Sequence, residues 1–333
     1  MINFADVVCG LAWGDEAKGK ITASLSSSKI YDFVCRWAGG ANAGHTVYVD
    51  GKKYKTHLIP SGIFFGVKSI IGPGCVVHIG KFIDEINYLS DNGFDTSLIK
   101  ISGRAHVVTD DHLNIDRSSL KAKLGTTGSG IAPCYSDKAA RVGTLARDTP
   151  NLSKYIWDDN LYGNVLCEGA QGVWLDLDWG NYPYVTSSTT LPYGSCSLGI
   201  PPQKIRKIFG AAKIYDTRSG IDPLFPDSLL DDPVFAEIGE IGMEYGVTTG
   251  RRRKINWLNL SLLISAINMT GTTHLVISKC DVLENVGKFC LIEDDILVKF
   301  KSLSLMINHI TSIIDEECDL IEEIRFSRSP EFI

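Results

Sequence analysis

A short apolar run that breaks into a glycine–lysine turn constrains this chain more than any other feature. Residues Ala5 to Trp13 are mostly apolar, and Gly14-Asp15-Glu16-Ala17-Lys18-Gly19-Lys20 follows at once. A buried strand leading into a phosphate loop is the natural reading. Glycines let backbone N–H groups turn toward phosphate oxygens, and lysine adds charge. The segment fits GxxxxGK, but Ile21 stands where a hydroxyl residue usually follows the lysine and binds magnesium. Magnesium therefore needs another ligand, and Asp15 inside the loop is the candidate. Taken alone, the pattern fits a chance turn about equally well.

The rest of the chain agrees with an α/β protein. Tyr31 to Trp37, Ser97 to Ile101, Val165 to Cys167, Ile208 to Tyr215 and His274 to Ile277 read as short buried strands. Ile79 to Leu89 and Leu303 to Ile314 carry apolar residues at helical spacing, and Asp315 to Glu323 reads as a continuation of the latter with acids outside. Strands alternating with helices predict a mostly parallel sheet covered on both faces. Polar stretches between Arg104 and Asp148, and between Trp179 and Pro202, read as long functional loops. Without a linker or repeat, residues 1–333 are expected to form a single large domain around that sheet.

The charge balance narrows the partners. A net charge of −6 gives little support to nucleic-acid binding, although a local basic cluster can still hold a small anion. The nine cysteines show neither CxxC pairs nor zinc spacing, which reads as free thiols in a reducing compartment. Asp6 and Asp15 interrupt the N-terminal apolar region, unlike a signal peptide, and no uncharged apolar run is long enough to span a bilayer. A cytoplasmic protein is expected.

Five further segments carry chemistry. Gly39-Gly40-Ala41-Asn42-Ala43-Gly44-His45 follows a strand, and His45 is suited to general acid work near neutral pH. Gly125-Thr126-Thr127-Gly128-Ser129-Gly130 offers hydroxyls and free amides to a monophosphate. In Glu168-Gly169-Ala170-Gln171-Gly172, Gln171 has both the donor and the acceptor that a purine edge needs. Thr248-Thr249-Gly250-Arg251-Arg252-Arg253-Lys254 puts four consecutive cations in an acidic chain, and arginine forks bind carboxylate and phosphate. Lys279-Cys280-Asp281 after an apolar strand resembles a guanine-reading loop. Each segment has a bland counterpart: a satisfied histidine, a flexible glycine loop, a strand-end turn, or a solvated basic run.

In this order the segments resemble the adenylosuccinate synthetase family. The runs WGDEAKGK, GGANAGHT, HLIPSGI, TTGSGIAPCYSDKAARVG, EGAQG, YPYVTSS, TTGRRRK and KCDVL each stand close to its signatures. The resemblance implies a ligase, usually a homodimer, that phosphorylates the 6-oxygen of IMP from GTP and displaces the phosphate with aspartate. By resemblance Asp15 is the base and, with the Gly44 carbonyl, a magnesium ligand. His45, Lys18 and Gln171 would share the catalytic work. Asn42, Thr127, Gln171, Thr186, Ser219 and Arg251 would hold the acceptor nucleotide, with Arg141 reaching its phosphate from the other subunit. Thr248, Thr249 and Arg251 would bind aspartate. Gly14, Glu16, Ala17, Lys18, Gly19, Lys20, Arg253, Lys279, Asp281, Ser327 and Ser329 would bind the triphosphate donor and its base.

The chain also departs from the family pattern. Ala17 replaces the usual loop glycine, and Ser129 stands where arginine is common. Ser219-Gly220-Ile221-Asp222 replaces Val-Gly-x-Gly, and Ser327-Arg328-Ser329-Pro330 replaces a Ser-x-Gly segment. These changes keep open a phage-type alternative that uses dGMP with ATP, dATP or GTP to make N6-succino-2-amino-2′-deoxyadenylate. A GTP-binding regulatory module is a further alternative.

Overall fold

The computed structural model describes residues 1–246, 250–331 and 333. Nine strands form one sheet in which every pair is parallel. In chain order they are β1 (Ile2–Gly10), β2 (Phe33–Arg36), β3 (Lys68–Ile71), β4 (Ile99–Ser102), β5 (Ile156–Trp157), β6 (Gly163–Glu168), β7 (Ile205–Lys213), β8 (His274–Ser278) and β9 (Glu323–Phe326). Their spatial order is β9-β8-β7-β1-β6-β2-β3-β4-β5. β1 therefore lies between β6 and β7, with its chain neighbour β2 one place further out. Such reversals of strand order open a crevice at the carboxyl ends of the strands.

Burial on both faces explains why these strands read as apolar runs. Ala5, Val7, Val8 and Cys9 of β1 are inaccessible, as are Val165, Leu166 and Cys167 of β6. Helix Ile79–Asp91 packs Phe82, Ile86 and Leu89 with Ile99 and Ile101 of β4. Helices Leu260–Thr270 and Leu303–Glu317 join Leu275 and Ile277 of β8 in a second core through Leu263, Ile267, Met306 and Ile310.

The structure corrects three expectations and adds one element that was not anticipated. The run Ile208 to Tyr215 is not one strand: β7 ends at Lys213, and Tyr215–Arg218 starts a second sheet antiparallel to Lys254–Asn259. That sheet continues with Phe289–Glu293 and Ile296–Phe300. The break falls at Ile214, whose N–H bonds across to Ser278. The last long helix stops at Glu317 rather than Glu323, because Glu323–Phe326 fills the free edge of β8. The stretch from 104 to 148 is not an open loop; it holds a strand, His106–Val108, and helices Asp110–Ile115 and Ile131–Ala140. A capping box between Thr109 and His112 starts the first of these helices. Finally, His45 opens a hairpin, His45–Val49 with Lys52–Thr56, turned by Asp50-Gly51 with both residues at positive φ.

Candidate active site

Six segments from distant parts of the chain meet at the carboxyl edge of the sheet. The phosphate loop follows β1, residues 39–46 follow β2, residues 169–172 follow β6, and residues 214–219 follow β7. Residues 279–281 follow β8, and residues 327–330 follow β9. Between them lies a cleft of about 740 Å³.

The phosphate loop is wound tightly. Gly14, Asp15 and Ala17 all have positive φ, and helix α1 (Lys18–Ser27) begins immediately after. Ala17 thus occupies a left-handed position that favours glycine, at a cost of about 1 kcal/mol. Glu16 turns into the loop rather than toward the cleft. Its buried carboxylate accepts the N–H of Gly14 at 2.6 Å and of Ala12 at 3.2 Å, and pairs with Lys18 Nζ at 2.5 Å. Lys20 Nζ reaches the segment after β9, donating to Ser327 Oγ at 2.9 Å and to the Ser329 carbonyl at 3.0 Å. Burial holds the Lys20 ammonium down to about 8; Asp281 works against that shift and Lys279 with it.

Asp15 sits at the end of a chain of buried charges. Arg253 Nε lies 2.8 Å from Asp15 Oδ2, and its Nη1 lies 2.5 Å from Glu244 Oε2. Glu244 also takes Lys213 Nζ on both oxygens, at 3.0 and 2.8 Å, and the Tyr215 hydroxyl at 2.8 Å. Burial would raise the Glu244 carboxyl, but Lys213, Arg253 and Lys279 bring it down to about 2. Burial pushes Lys213 below its ordinary value against the pull of Glu244. Burial also disfavours charge on Arg253, yet Asp15 and Glu244 outweigh it and raise its pKa.

His45 is held from behind. Its Nδ1 bonds Glu168 Oε1, and Glu168 is fully buried at the end of β6. Burial lowers the His45 pKa, with Glu168 opposing. Gln171, at φ 56°, lines the same cleft with its Oε1 buried and without a hydrogen-bond partner among the described residues.

The remaining expected residues divide by position. Asn42, Gly44, Thr127, Thr186, Ser219, Arg251, Lys279, Asp281 and Ser329 all lie on the cleft wall, together with Gly14, Ala17, Lys18, Gly19 and Lys20. Asn42 Oδ1 caps the N–H of Gly40 at 3.1 Å. Ser219 Oγ is 3.4 Å from Asp15 Oδ2, and Lys279 Nζ donates to the Gly242 carbonyl at 2.6 Å. Ser327 is buried beneath the wall with Lys20. Arg141 lies elsewhere, exposed at the end of helix Ile131–Ala140. Thr248 and Thr249 lie outside the described residues.

The basic run splits by alternation, as an extended segment requires. Arg251 and Arg253 line the cleft, while Arg252 donates to the Leu230 carbonyl and Lys254 pairs with Asp227. Asp222, a departure from the family pattern, turns inward to Asn181 and lies 3.7 Å from Arg218. Asp116 braces the glycine loop by accepting Thr126 Oγ1 at 2.5 Å and Gly130 N–H at 2.8 Å. The sequence reading missed Asp116, Glu244 and Lys213, and also Lys53 and Lys55 of the hairpin, which line the cleft mouth.

A phosphate loop, a carboxylate and a paired histidine facing one crevice define a nucleotide-dependent enzyme of the parallel α/β class. Comparison with known proteins narrows this class. The adenylosuccinate synthetase family profile matches residues 7–158 and 149–293. Adenylosuccinate synthetase of Lactococcus lactis subsp. cremoris (strain MG1363) is 40% identical over 86% of this chain and 79% of its own. The enzyme of Streptococcus gordonii is 40% identical over 86% of this chain and 80% of its own. The fully ligated adenylosuccinate synthetase of Plasmodium falciparum superposes with a TM-score of 0.85 at 28% identity, covering 99% of this chain and 98% of that one. The succinoaminodeoxyadenylate synthetase of cyanophage S-2L, solved with dGMP and dATP, shares the fold: TM-score 0.74, 20% identity, 99% of this chain and 94% of that one. The chain belongs to the adenylosuccinate synthetase family and is a ligase that forms a C–N bond. Membership displaces the regulatory-module alternative. Among the described residues no helix is long and apolar enough to cross a membrane.

Proposed function

We propose that the chain joins L-aspartate to C6 of IMP at the expense of GTP, releasing adenylosuccinate, GDP and phosphate. The convergence of Asp15, His45 and Gln171 on one cleft with the phosphate loop carries this reading. Asp15 takes the N1 proton of IMP, and the 6-oxygen attacks the γ-phosphate of GTP. The amine of aspartate then displaces phosphate from the 6-phosphoryl nucleotide. Phosphorylation is needed because the 6-oxygen alone is a poor leaving group.

The chain's charges suit both steps, which build negative charge in a shielded crevice. His45 donates from Nε2 toward the 6-oxygen, with Glu168 compensating the imidazolium. Lys18 moves from Glu16 to the transferring phosphoryl group. Arg253 releases Asp15 to contact the triphosphate while Glu244 retains its other end. Magnesium would be held by Asp15 and the Gly44 carbonyl, hard oxygen donors on the cleft wall, and would neutralise charge on the phosphates.

Asn42, Thr127, Gln171, Thr186, Ser219 and Arg251 would bind IMP, and Thr248, Thr249 and Arg251 the carboxylates of aspartate. Lys279 and Asp281 would read guanine, backed by Ser327 and Ser329. The exposed position of Arg141, away from this cleft, supports its reaching the IMP phosphate of a partner in a homodimer. Nine free cysteines support a reducing, cytoplasmic setting.

The test is phosphate release with magnesium and aspartate, crossing IMP or dGMP with GTP or ATP. IMP with GTP should be the productive pair. Turnover with dGMP alone would overturn the assignment in favour of the 2-amino-2′-deoxyadenylate branch. Phosphate release without aspartate would remove the ligase mechanism.

A further inference from the structure

We propose that Ser61 is a positioning residue for His45, fixing the Glu168 carboxylate so that the second imidazole nitrogen is presented to the nucleotide. The inference rests on the reading of His45 as the acid of the phosphoryl step. Ser61 belongs to the run HLIPSGI, to which no chemical role has been given above.

Ser61 is fully buried and binds both oxygens of Glu168. Its N–H donates to Oε2 at 2.6 Å, and its hydroxyl donates to Oε1 at 2.7 Å. One donor on each oxygen stops the carboxylate from rotating. Oε1 keeps one lone pair, and His45 Nδ1 takes it. With Nδ1 committed as a donor, Nε2 is the nitrogen that holds or yields a proton toward the cleft.

The backbone leaves Ser61 little freedom to do otherwise. Glu85 accepts the N–H groups of His57, Leu58 and Ile59 at 2.7, 3.0 and 3.1 Å, fixing the approach to Pro60. A Cβ on Gly62 would come within 2.2 Å of Val34 Cγ2, so the turn is pressed against β2. A Cβ on Gly19 would lie 2.7 Å from His45 Cβ and 3.3 Å from Ser61 Oγ. The start of α1 therefore seats against the imidazole and the hydroxyl together.

The hydroxyl also tunes the pair. Burial would raise the Glu168 carboxyl, but His45, Arg36 and the Ser61 bond hold it below the ordinary carboxylate range. Without the Ser61 hydroxyl, Glu168 Oε1 loses a donor and the carboxylate is held by the Ser61 N–H on Oε2 and by His45. The orientation of His45 then loosens.

The test is a double-mutant cycle with separate kcat and KM values. Ser61→Ala should lower kcat by about tenfold or more and leave both nucleotide KM values within about twofold. In a His45→Asn background the same change should cost less than about twofold further. Equal losses in both backgrounds would assign Ser61 to packing alone and overturn the proposal. If Ser61→Ala does not fold, Ser61→Cys fills the site with a weaker donor and should show an intermediate kcat; full activity would overturn the proposal equally. A fully active His45→Asn enzyme would sink the acid assignment first. An impaired His45→Asn enzyme beside an unimpaired Ser61→Ala enzyme would sink only the role of Ser61.

Discussion

Replacing Glu244 with glutamine should both destabilise the protein and disable the cleft. Glu244 compensates two cations that have almost no access to water, Lys213 and Arg253. Its carboxyl lies near 2 against an ordinary 4.5. At about 1.4 kcal/mol per pH unit, the difference is worth about 3 kcal/mol at neutral pH. Removing one partner of a buried pair costs about 3–5 kcal/mol in general, which agrees. The folded-state pKa is depressed, so this stability is present above about pH 4.5 and disappears as pH falls toward 2. Urea unfolding of wild type and Glu244→Gln should therefore separate by about 3 kcal/mol at pH 7 and converge as the pH falls through that window. Adding Lys213→Met should recover part of the loss, because it removes one stranded cation. Arg253, no longer shared, should pair with Asp15 alone and depress kcat. A gap below about 0.5 kcal/mol, or one that does not close in acid, would refute the charge chain as drawn.

Other expectations concern individual groups. Mixing Asp15→Asn with Arg141→Ala subunits should restore about a quarter of wild-type activity if Arg141 acts across a dimer, since half the mixed dimers' sites are intact; no recovery would place Arg141 in its own site or none. Asp281→Asn should cut the preference for GTP over ATP by about 100-fold or more in competition assays; an unchanged ratio would remove Asp281 from base reading. Ala17→Gly should raise stability by about 1 kcal/mol by relieving a left-handed alanine, measured by the urea midpoint; a lower midpoint would contradict the backbone geometry.

The buried parallel strands and the glycine turns that follow them were readable because both leave local marks. β1 and its phosphate loop, β6 with Gln171, and β8 with Asp281 fall where the apolar runs end. The hairpin after His45 was equally readable from Asp50-Gly51, a strong two-residue turn signal that the glycines before it obscured. Other features have no local mark. Glu244 stands between Met243 and Tyr245 in a stretch with no motif, and its cations come from the end of β7, 31 residues earlier, and from the basic run 9 residues later. Glu168 was visible beside Gln171, but only the fold sets it against His45, 123 residues away. The exit of Ile214 from one sheet toward another is likewise tertiary, since residues on either side of it are equally buried. The short strand β9 exists because β8 offers it an edge, not because its sequence demands extension.

The strand order also sets a timetable for synthesis. β1 leaves the ribosome early, yet its two partners are residues 163–168 and 205–213. At about 5–20 residues per second, the chain waits about 10–40 s before β1 is flanked on both sides. Until residues 163–168 are made both edges of this apolar strand are open, and one stays open to other nascent chains until residues 205–213 follow. Production in cells should accordingly depend on chaperone supply and growth temperature more than the stability of the finished fold would suggest. The phosphate loop, first of the six segments to be made, acquires Ser327 and Ser329 as the partners of Lys20 only when the last of the sheet is in place.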